Sequence, residues 1–139
     1  MPVELSIVTP EGVRFHEPVD NIVLPGSEGA FGVLPGHVRF LAPLAIGEAT
    51  LHTQGRTLFA ALSDGFAEVT QEHVVVMVET CEFADDIDLA RAQRAKAAAE
   101  TALAAARDKT HENALFASEE AALKRAIVRI KVATDNGRH

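Results

Sequence analysis

Tryptophan and tyrosine are absent from this 139-residue chain, and cysteine occurs once. Without Trp or Tyr there is no stacking platform of the kind that holds single-stranded nucleic acid. The lone Cys81 excludes an intrachain disulfide and suits a reducing compartment. No apolar run approaches the roughly 20 residues that a membrane-spanning helix needs, so direct membrane insertion is not expected. The start, Met-Pro-Val-Glu-Leu, has neither a basic segment nor a long apolar stretch, and no signal or transit peptide is expected. The histidines, at 16, 37, 52, 73, 111 and 139, lack metal-site spacing, so no metal is expected. Catalytic frames are missing too. Ser63-Asp64-Gly65 lacks the Gly-x-Ser-x-Gly setting of a nucleophile and reads as a hairpin turn. Gly26, Gly29 and Gly32 lack the Gly-Lys-Ser/Thr ending of a phosphate loop. No catalytic residue is predicted.

Basic residues are scarce in the first part of the chain. Residues 1–84 hold eleven acids against Arg14, Arg39 and Arg56, whereas residues 85–139 hold nine acids and ten bases. The net charge of −7 disfavours a nucleic-acid partner. The asymmetry either keeps the first part soluble or gives the two parts different partners.

The same boundary divides two periodicities. Val3, Leu5 and Ile7 alternate with polar neighbours, as in a half-buried strand. Strand-like runs follow at 21–24, 49–53, 57–62, 66–69 and 73–78, with Gly, Pro or Asp-Gly turn signals between them. Val74 to Val78 is almost continuously apolar and reads as a strand covered on both faces. From Ile87 onward neither Gly nor Pro occurs before Gly137, and Ala, Arg, Lys and Glu dominate. These are good helix formers. Asp85 and Asp86 are the expected N-caps. Leu89, Ala92, Ala95, Ala99, Ala102, Leu103 and Ala106 form one face of a first helix, and Asp108 to Asn113 the turn. A second helix carries Leu123, Ala126, Ile127, Ile130 and Ala133 as its stripe. The expected fold is α+β in two parts: a β-sandwich or flattened barrel over 1–84, then an antiparallel two-helix hairpin over 85–139. An alanine face buries little apolar area, at roughly 25 cal/mol per Å². The hairpin is therefore either a fixed part of the fold or a piece able to detach and extend.

The run Leu24-Pro-Gly-Ser-Glu-Gly-Ala-Phe-Gly-Val-Leu-Pro-Gly-His37 concentrates glycine and proline around one short strand. It holds no nucleophile and reads as a rigid docking surface. Its Pro25, Gly26, Gly29, Gly32, Leu34, Pro35, Gly36 and His37 resemble a motif of the epsilon subunit of F-type ATP synthase, called delta in mitochondria. Three further blocks resemble that family in the same order. They are Ser63-Asp-Gly-Phe-Ala-Glu-Val69, Ile87-Asp88-x-x-Arg91-Ala92, and Leu123-Lys-Arg-Ala126 with Arg129 one turn on.

The resemblance implies a non-catalytic rotor subunit of the central stalk, peripheral at the cytoplasmic face of the bacterial inner membrane. Its sandwich joins the gamma subunit, which is the shaft, to the polar loops of the membrane c-ring. Pro25, Gly26, Gly29, Phe31, Leu34, Pro35, Gly36, His37 and Arg39 are the implied contacts. Arg39 stands where the family usually has Pro, and His37 is either a structural hydrogen-bonder or a proton carrier. The hairpin, extended, enters the alpha/beta catalytic head and restrains hydrolysis, with Lys124, Arg125, Arg129 and Lys131 as counter-charges to acidic segments there. No cofactor is required. Some bacterial members bind ATP as a regulatory ligand, and Glu82, Ile87, Asp88, Arg91, Ala92, Arg125 and Arg129 match their site. Ala98 replaces an arginine of those members, and Ser118-Glu119-Glu120 replaces Arg-Ala-Glu. The arginines otherwise serve as surface ion pairs with Asp88, Glu119 or Glu120. A free-standing ATP sensor of the same architecture and a generic interaction adaptor are the competing readings.

Overall fold

The computed structural model describes residues 2–34, 39–106 and 113–136. Ten strands come first: β1 (Val3–Thr9), β2 (Gly12–Val19), β3 (Asn21–Gly26), β4 (Gly29–Val33), β5 (Phe40–Leu44), β6 (Gly47–Thr53), β7 (Arg56–Leu62), β8 (Gly65–Val69), β9 (His73–Val78) and β10 (Cys81–Phe83). A 3₁₀ turn at Ala84–Asp86 leads into helices α1 (Leu89–Ala106) and α2 (Asn113–Asn136).

The strands run in the order β10-β7-β6-β3-β5-β8-β9-β1-β2, with β4 paired to β3. Among the described residues only β1 and β9 pair in parallel; the other ladders are antiparallel. The sheet curls until β2 reaches β6. There the Thr53 hydroxyl donates to the Pro18 carbonyl at 3.1 Å, and Asp20 N–H donates to the His52 carbonyl at 2.7 Å. The result is a flattened barrel with its core inside. Alternation supplies that core: Val3, Leu5 and Ile7 from β1, Ile22 and Leu24 from β3, and Val74, Val76 and Val78 from β9 are all buried.

Several local expectations need correction. β9 is covered on one face only, because Met77 is 42% exposed. Its run of valines alternates between core and surface like any half-buried strand. β2 was not anticipated, since only Phe15 and Val19 of its eight residues are buried. An edge strand beside a bulge at Ile7/Val8 needs little apolar content and tolerates Pro18. Ser63-Asp64-Gly65 is not a hairpin turn. It links β7 to β8, which pair with different neighbours. Ser63 Oγ fixes the link, accepting from Thr80 N–H at 2.9 Å and donating to the Asp64 carbonyl at 3.3 Å.

The helix start also moves. Asp85 and Asp86 lie in the 3₁₀ turn, and Asp88 is the N-cap. Its Oδ1 accepts from Arg91 N–H at 3.0 Å, while its carbonyl accepts from Ala92 N–H at 3.0 Å. This satisfies a donor that the first helical turn leaves open. α1 packs on α2 and makes no comparable contact with the sheet. Its buried stripe is therefore narrow: Ala92, Ala99 and Leu103, with Leu89 and Ala95 left exposed. α2 serves two neighbours. Ala126 is fully buried, and Val132 is fully buried against Phe59 and Ala61 of β7 and Ala84, while Ile127 points to solvent. The expected stripe missed Val132 because the sheet presents α2 with a second face to cover.

Gly65 marks the tightest backbone approach in the sheet. A Cβ there would collide with the Met77 carbonyl oxygen, with Val78 Cγ1 only 2.9 Å away. Gly65→Ala is expected to destabilise the chain by about 1–3 kcal/mol, the usual cost of forcing atoms into a packed site. Denaturant unfolding followed by circular dichroism checks this.

Candidate functional site

Three surfaces stand out. The first is the glycine-rich hairpin. β3 and β4 pair from Ile22↔Val33 to Gly26↔Gly29, so only Ser27 and Glu28 form its loop. Gly29 has φ +126°, which side-chain-bearing residues rarely adopt. A Cβ on Gly26 would lie 2.7 Å from the Gly29 carbonyl oxygen and 2.8 Å from the Phe31 ring. Ser27 N–H donates to the Pro43 carbonyl at 3.0 Å and Ala45 N–H to the Pro25 carbonyl at 2.8 Å, tying the hairpin to β5. Phe31 packs edge-on against Phe40 at 5.8 Å. Pro25, Gly26, Gly29 and Phe31 thus form one rigid unit. Leu34 and Arg39 are exposed beside it, while Pro35, Gly36 and His37 lie outside the described residues.

The second surface was not anticipated. Pro43, Phe66, Met77, Val8 and Val13 are successive register partners on β5, β8, β9, β1 and β2. All face outward, and Phe66 is 52% exposed, Val13 64%. They form an apolar row across five strands, with exposed Leu41 two residues from Pro43 on the same side. A hollow shared by Arg39, Leu41 and Glu68 connects the row to the end of the glycine-rich segment. An apolar face of this extent on a small domain marks an interaction surface. The alternation in each strand carried the signal, but only strand order and register join the five residues.

The third surface is a cleft of about 300 Å³ between the sheet edge and the hairpin. Six of the seven predicted ligand residues line it: Glu82 from β10, Ile87 and Asp88 before α1, Arg91 and Ala92 on α1, and Arg129 on α2. The seventh, Arg125, lines a neighbouring crevice with Ser63, Thr80 and Arg129. One turn of α2 separates the two arginines, and Arg129 borders both the cleft and the crevice while Arg125 borders the crevice alone. Arg129 Nε donates to Glu82 Oε1 in a part-buried ion pair. That pairing corrects the expected partners Asp88, Glu119 and Glu120. Asp86 also borders the cleft, so three carboxylates face two guanidinium groups. Among the described residues Arg91 makes no ion pair. Next to Glu82, Cys81 is buried in the core. Burial pushes its thiol up to about 11, Arg14 opposing and Glu82 adding, so it stays protonated and unreactive.

No helix among the described residues is long and apolar enough to cross a membrane. Comparison with known proteins is consistent along nearly the whole chain. Residues 2–84 match the family described as ATP synthase, Delta/Epsilon chain, beta-sandwich domain. Residues 85–134 match ATP synthase, Delta/Epsilon chain, long alpha-helix domain. The ATP synthase epsilon chain of Nitratidesulfovibrio vulgaris (strain DP4) is 44% identical over 130 residues, 94% of each chain. The ATP synthase epsilon chain 2 of Syntrophotalea carbinolica is 43% identical over 136 residues, 98% of this chain and 96% of that one. A chain in the Euglena gracilis mitochondrial ATP synthase assembly of OSCP, F1 and c-ring shares the fold with a TM-score of 0.78 at 22% identity. That match covers 99% of this chain and 82% of the other. From strand order to helical hairpin, the chain belongs to the delta/epsilon chain family of ATP synthase.

Proposed function

We propose that this chain, a non-catalytic central-stalk subunit of ATP synthase, divides its work between its two parts. The β-part, residues 1–84, seats the gamma shaft and meets the polar loops of the c-ring. The hairpin, residues 85–139, restrains ATP hydrolysis when it leaves the sheet and enters the alpha/beta head. The subunit sits peripherally at the cytoplasmic face of the bacterial inner membrane.

The apolar row from Pro43 to Val13 carries the shaft assignment. Burying it against a second protein releases apolar area that water otherwise covers, at roughly 25 cal/mol per Å². The stiff Ser27-Glu28 hairpin, tied to β5 at the row's end, presents a small polar tip suited to polar loops. Pro25, Gly26, Gly29, Phe31, Leu34, Pro35, Gly36, His37 and Arg39 remain the proposed contact segment. The regulatory assignment rests on how α2 uses its cations. Arg129 is held by Glu82, and Lys131 Nζ by Glu48 Oε1 at 2.8 Å. Cations spent on the sheet are not available to acidic segments elsewhere. Docked and inserted hairpins are therefore mutually exclusive, which gives a two-state brake.

ATP is the proposed regulatory ligand of the cleft, and a weak one. No cofactor is required for the mechanical role. Arg91 offers a guanidinium suited to phosphate. Arg129 must first give up Glu82, and Asp86 and Asp88 repel the polyphosphate. Arg125 lines the adjoining crevice and joins the site only if its side chain swings toward Arg129.

Three outcomes test these readings. Phe66→Glu puts a charge in the apolar row, and retention of the subunit on purified gamma is expected to fall at least tenfold. Unchanged retention removes the row from the shaft interface. Deleting residues 88–139 is expected to raise ATP hydrolysis of the reconstituted enzyme without loss of assembly. Unaltered hydrolysis overturns the brake and leaves the coupling role standing. Equilibrium dialysis with labelled ATP is expected to show saturation in the millimolar range, weakened about tenfold by Arg91→Ala, a charged hydrogen bond being worth about 1.5–3 kcal/mol. Lack of saturable binding removes the ligand reading alone.

A further inference from the structure

The seam between α2 and β6 gathers three charged groups, Glu48, Lys131 and Asp135, of which the brake uses only the Lys131–Glu48 contact. Lys131 Nζ donates to Glu48 Oε1 and to Asp135 Oδ2, both at 2.8 Å. Lys131 and Asp135 are one turn apart on α2, so the ammonium draws the helix's own carboxylate toward the carboxylate of the strand. The Glu48 side chain is only 14% exposed and Asp135 25%. Among the described residues Glu48 Oε2 is buried with no hydrogen-bond partner. Two carboxylates therefore share one ammonium in a part-buried seam, and one buried oxygen is left unsatisfied. Such an oxygen is costly while ionised and is satisfied at once by a proton that it can donate to a neighbouring carboxylate.

We propose that Glu48, Lys131 and Asp135 form a proton-operated latch, which holds the hairpin on the sheet when Glu48 is protonated and loosens it as Glu48 ionises. In the closed form the proton on Glu48 is donated to Asp135, whose carboxylate keeps Lys131. In the ionised form the seam carries a net negative charge that water can solvate only if α2 lifts.

The other groups around Glu48 do not compete with this. Ala61 faces it across the β6–β7 ladder. On the other side of β6, the β3 partners Asn21, Ile22 and Val23 lie against His52, Leu51 and Thr50, further along the strand, and Pro25 lies against Gly47; none of the four is charged. Asp85 of the 3₁₀ turn accepts from Asn136 Nδ2 at 3.1 Å, and Arg129 faces Glu82. Burial raises the Glu48 carboxyl above the ordinary carboxylate value, and Asp135 raises it further against the opposing pull of Lys131. The docked form then binds the proton more tightly than the open form. Its advantage is complete below the open-state value and is lost as pH rises through the raised, docked value. Lys131 is raised by its bonds to Asp135 and Glu48, so it stays charged across that window.

The latch rests on the detachable-hairpin reading, and native-state hydrogen exchange of the full chain separates the two. Protection of α2 amides 126–133 is measured from pH 5 to pH 8, corrected for intrinsic exchange, against the amides of β1 and β9. The expected result is that α2 opens independently of the barrel. Its protection relative to β1 and β9 falls twofold to about tenfold per pH unit over part of this range, the upper bound being one proton per opening. Glu48→Gln cannot ionise and is expected to flatten that slope while keeping the barrel's protection. Asp135→Asn, which removes the acceptor of the proton, is expected to flatten it as well. Independent opening with a flat profile in the unmodified chain, or a slope that survives in Glu48→Gln, overturns the latch alone. Equal protection of α2 and the barrel at every pH overturns the detachable hairpin and the latch together.

Discussion

The seating of α2 on β7 is the contact from which the C-terminal part takes its position. α1 packs on α2, not on the sheet, so the hairpin is held through one helix. That helix inserts one fully buried side chain, Val132, between Phe59, Ala61 and Ala84, with Val128 and Ile87 at the margin. Burying a valine contributes about 1.5–3 kcal/mol. The flanking Glu82–Arg129 and Glu48–Lys131 pairs are partly exposed, and solvent screening holds such pairs to about 1 kcal/mol or less. The docking energy is thus on the order of a few kcal/mol. A difference of that size is what a two-state element needs if a partner or ligand is to move it. A leucine seam along both helices would have removed that freedom.

The barrel imposes the opposite constraint. Its ladders run from β10 round to β2, which closes against β6, and its inner face is filled by alternating aliphatic residues. Such a body resists deformation, because close-packed interiors yield little. The two outer faces differ accordingly. The β6–β7 side is covered by α2 through a small, partly polar seam. The β5-β8-β9-β1-β2 side is left apolar. One side suits a contact that opens, the other a contact that stays shut.

Much of this was legible in the residues, and the exceptions share a physical cause. Val3, Leu5 and Ile7 declare β1 because a half-buried strand must alternate, and the Ala-rich stretch after Ile87 declares helix because nothing in it breaks one. A turn beside Gly29 was recognisable, since side-chain-bearing residues rarely adopt the φ found there, but the loop is only Ser27 and Glu28, and Pro25 and Gly26 still pair within β3. β2 escaped notice because an edge strand needs few apolar residues. Met77 is expected to be covered as part of an apolar run, yet it is exposed, since hydrophobicity does not say which face of a strand is covered. Asp85 and Asp86 are the expected caps, but the 3₁₀ turn takes them and leaves the capping to Asp88. Six of the cleft residues come together as the motif implied, while Arg125 lines the neighbouring crevice. Spacing of i, i+4 places it on the same helix face as Arg129 but cannot say which hollow along the sheet each guanidinium will enter. Glu48 lies 83 residues from Lys131 in sequence, and no local pattern joins them.

The fate of Arg129 links the cleft to the seam. As the chain stands, its guanidinium bridges α2 to β10 through Glu82, so it is an anchor of the docked hairpin. A phosphate in the cleft would draw Arg129 toward Arg91 and exchange a bond to the sheet for a bond across the two helices. Such a ligand strengthens the hairpin internally while removing one tie to the barrel. Its effect on docking is then set by whether it also engages Glu82 and the residues of the 3₁₀ turn, because a ligand shifts an equilibrium only by its difference in affinity for the two states. A nucleotide that spans β10, α1 and α2 together closes the hairpin. One that contacts the helices alone does not.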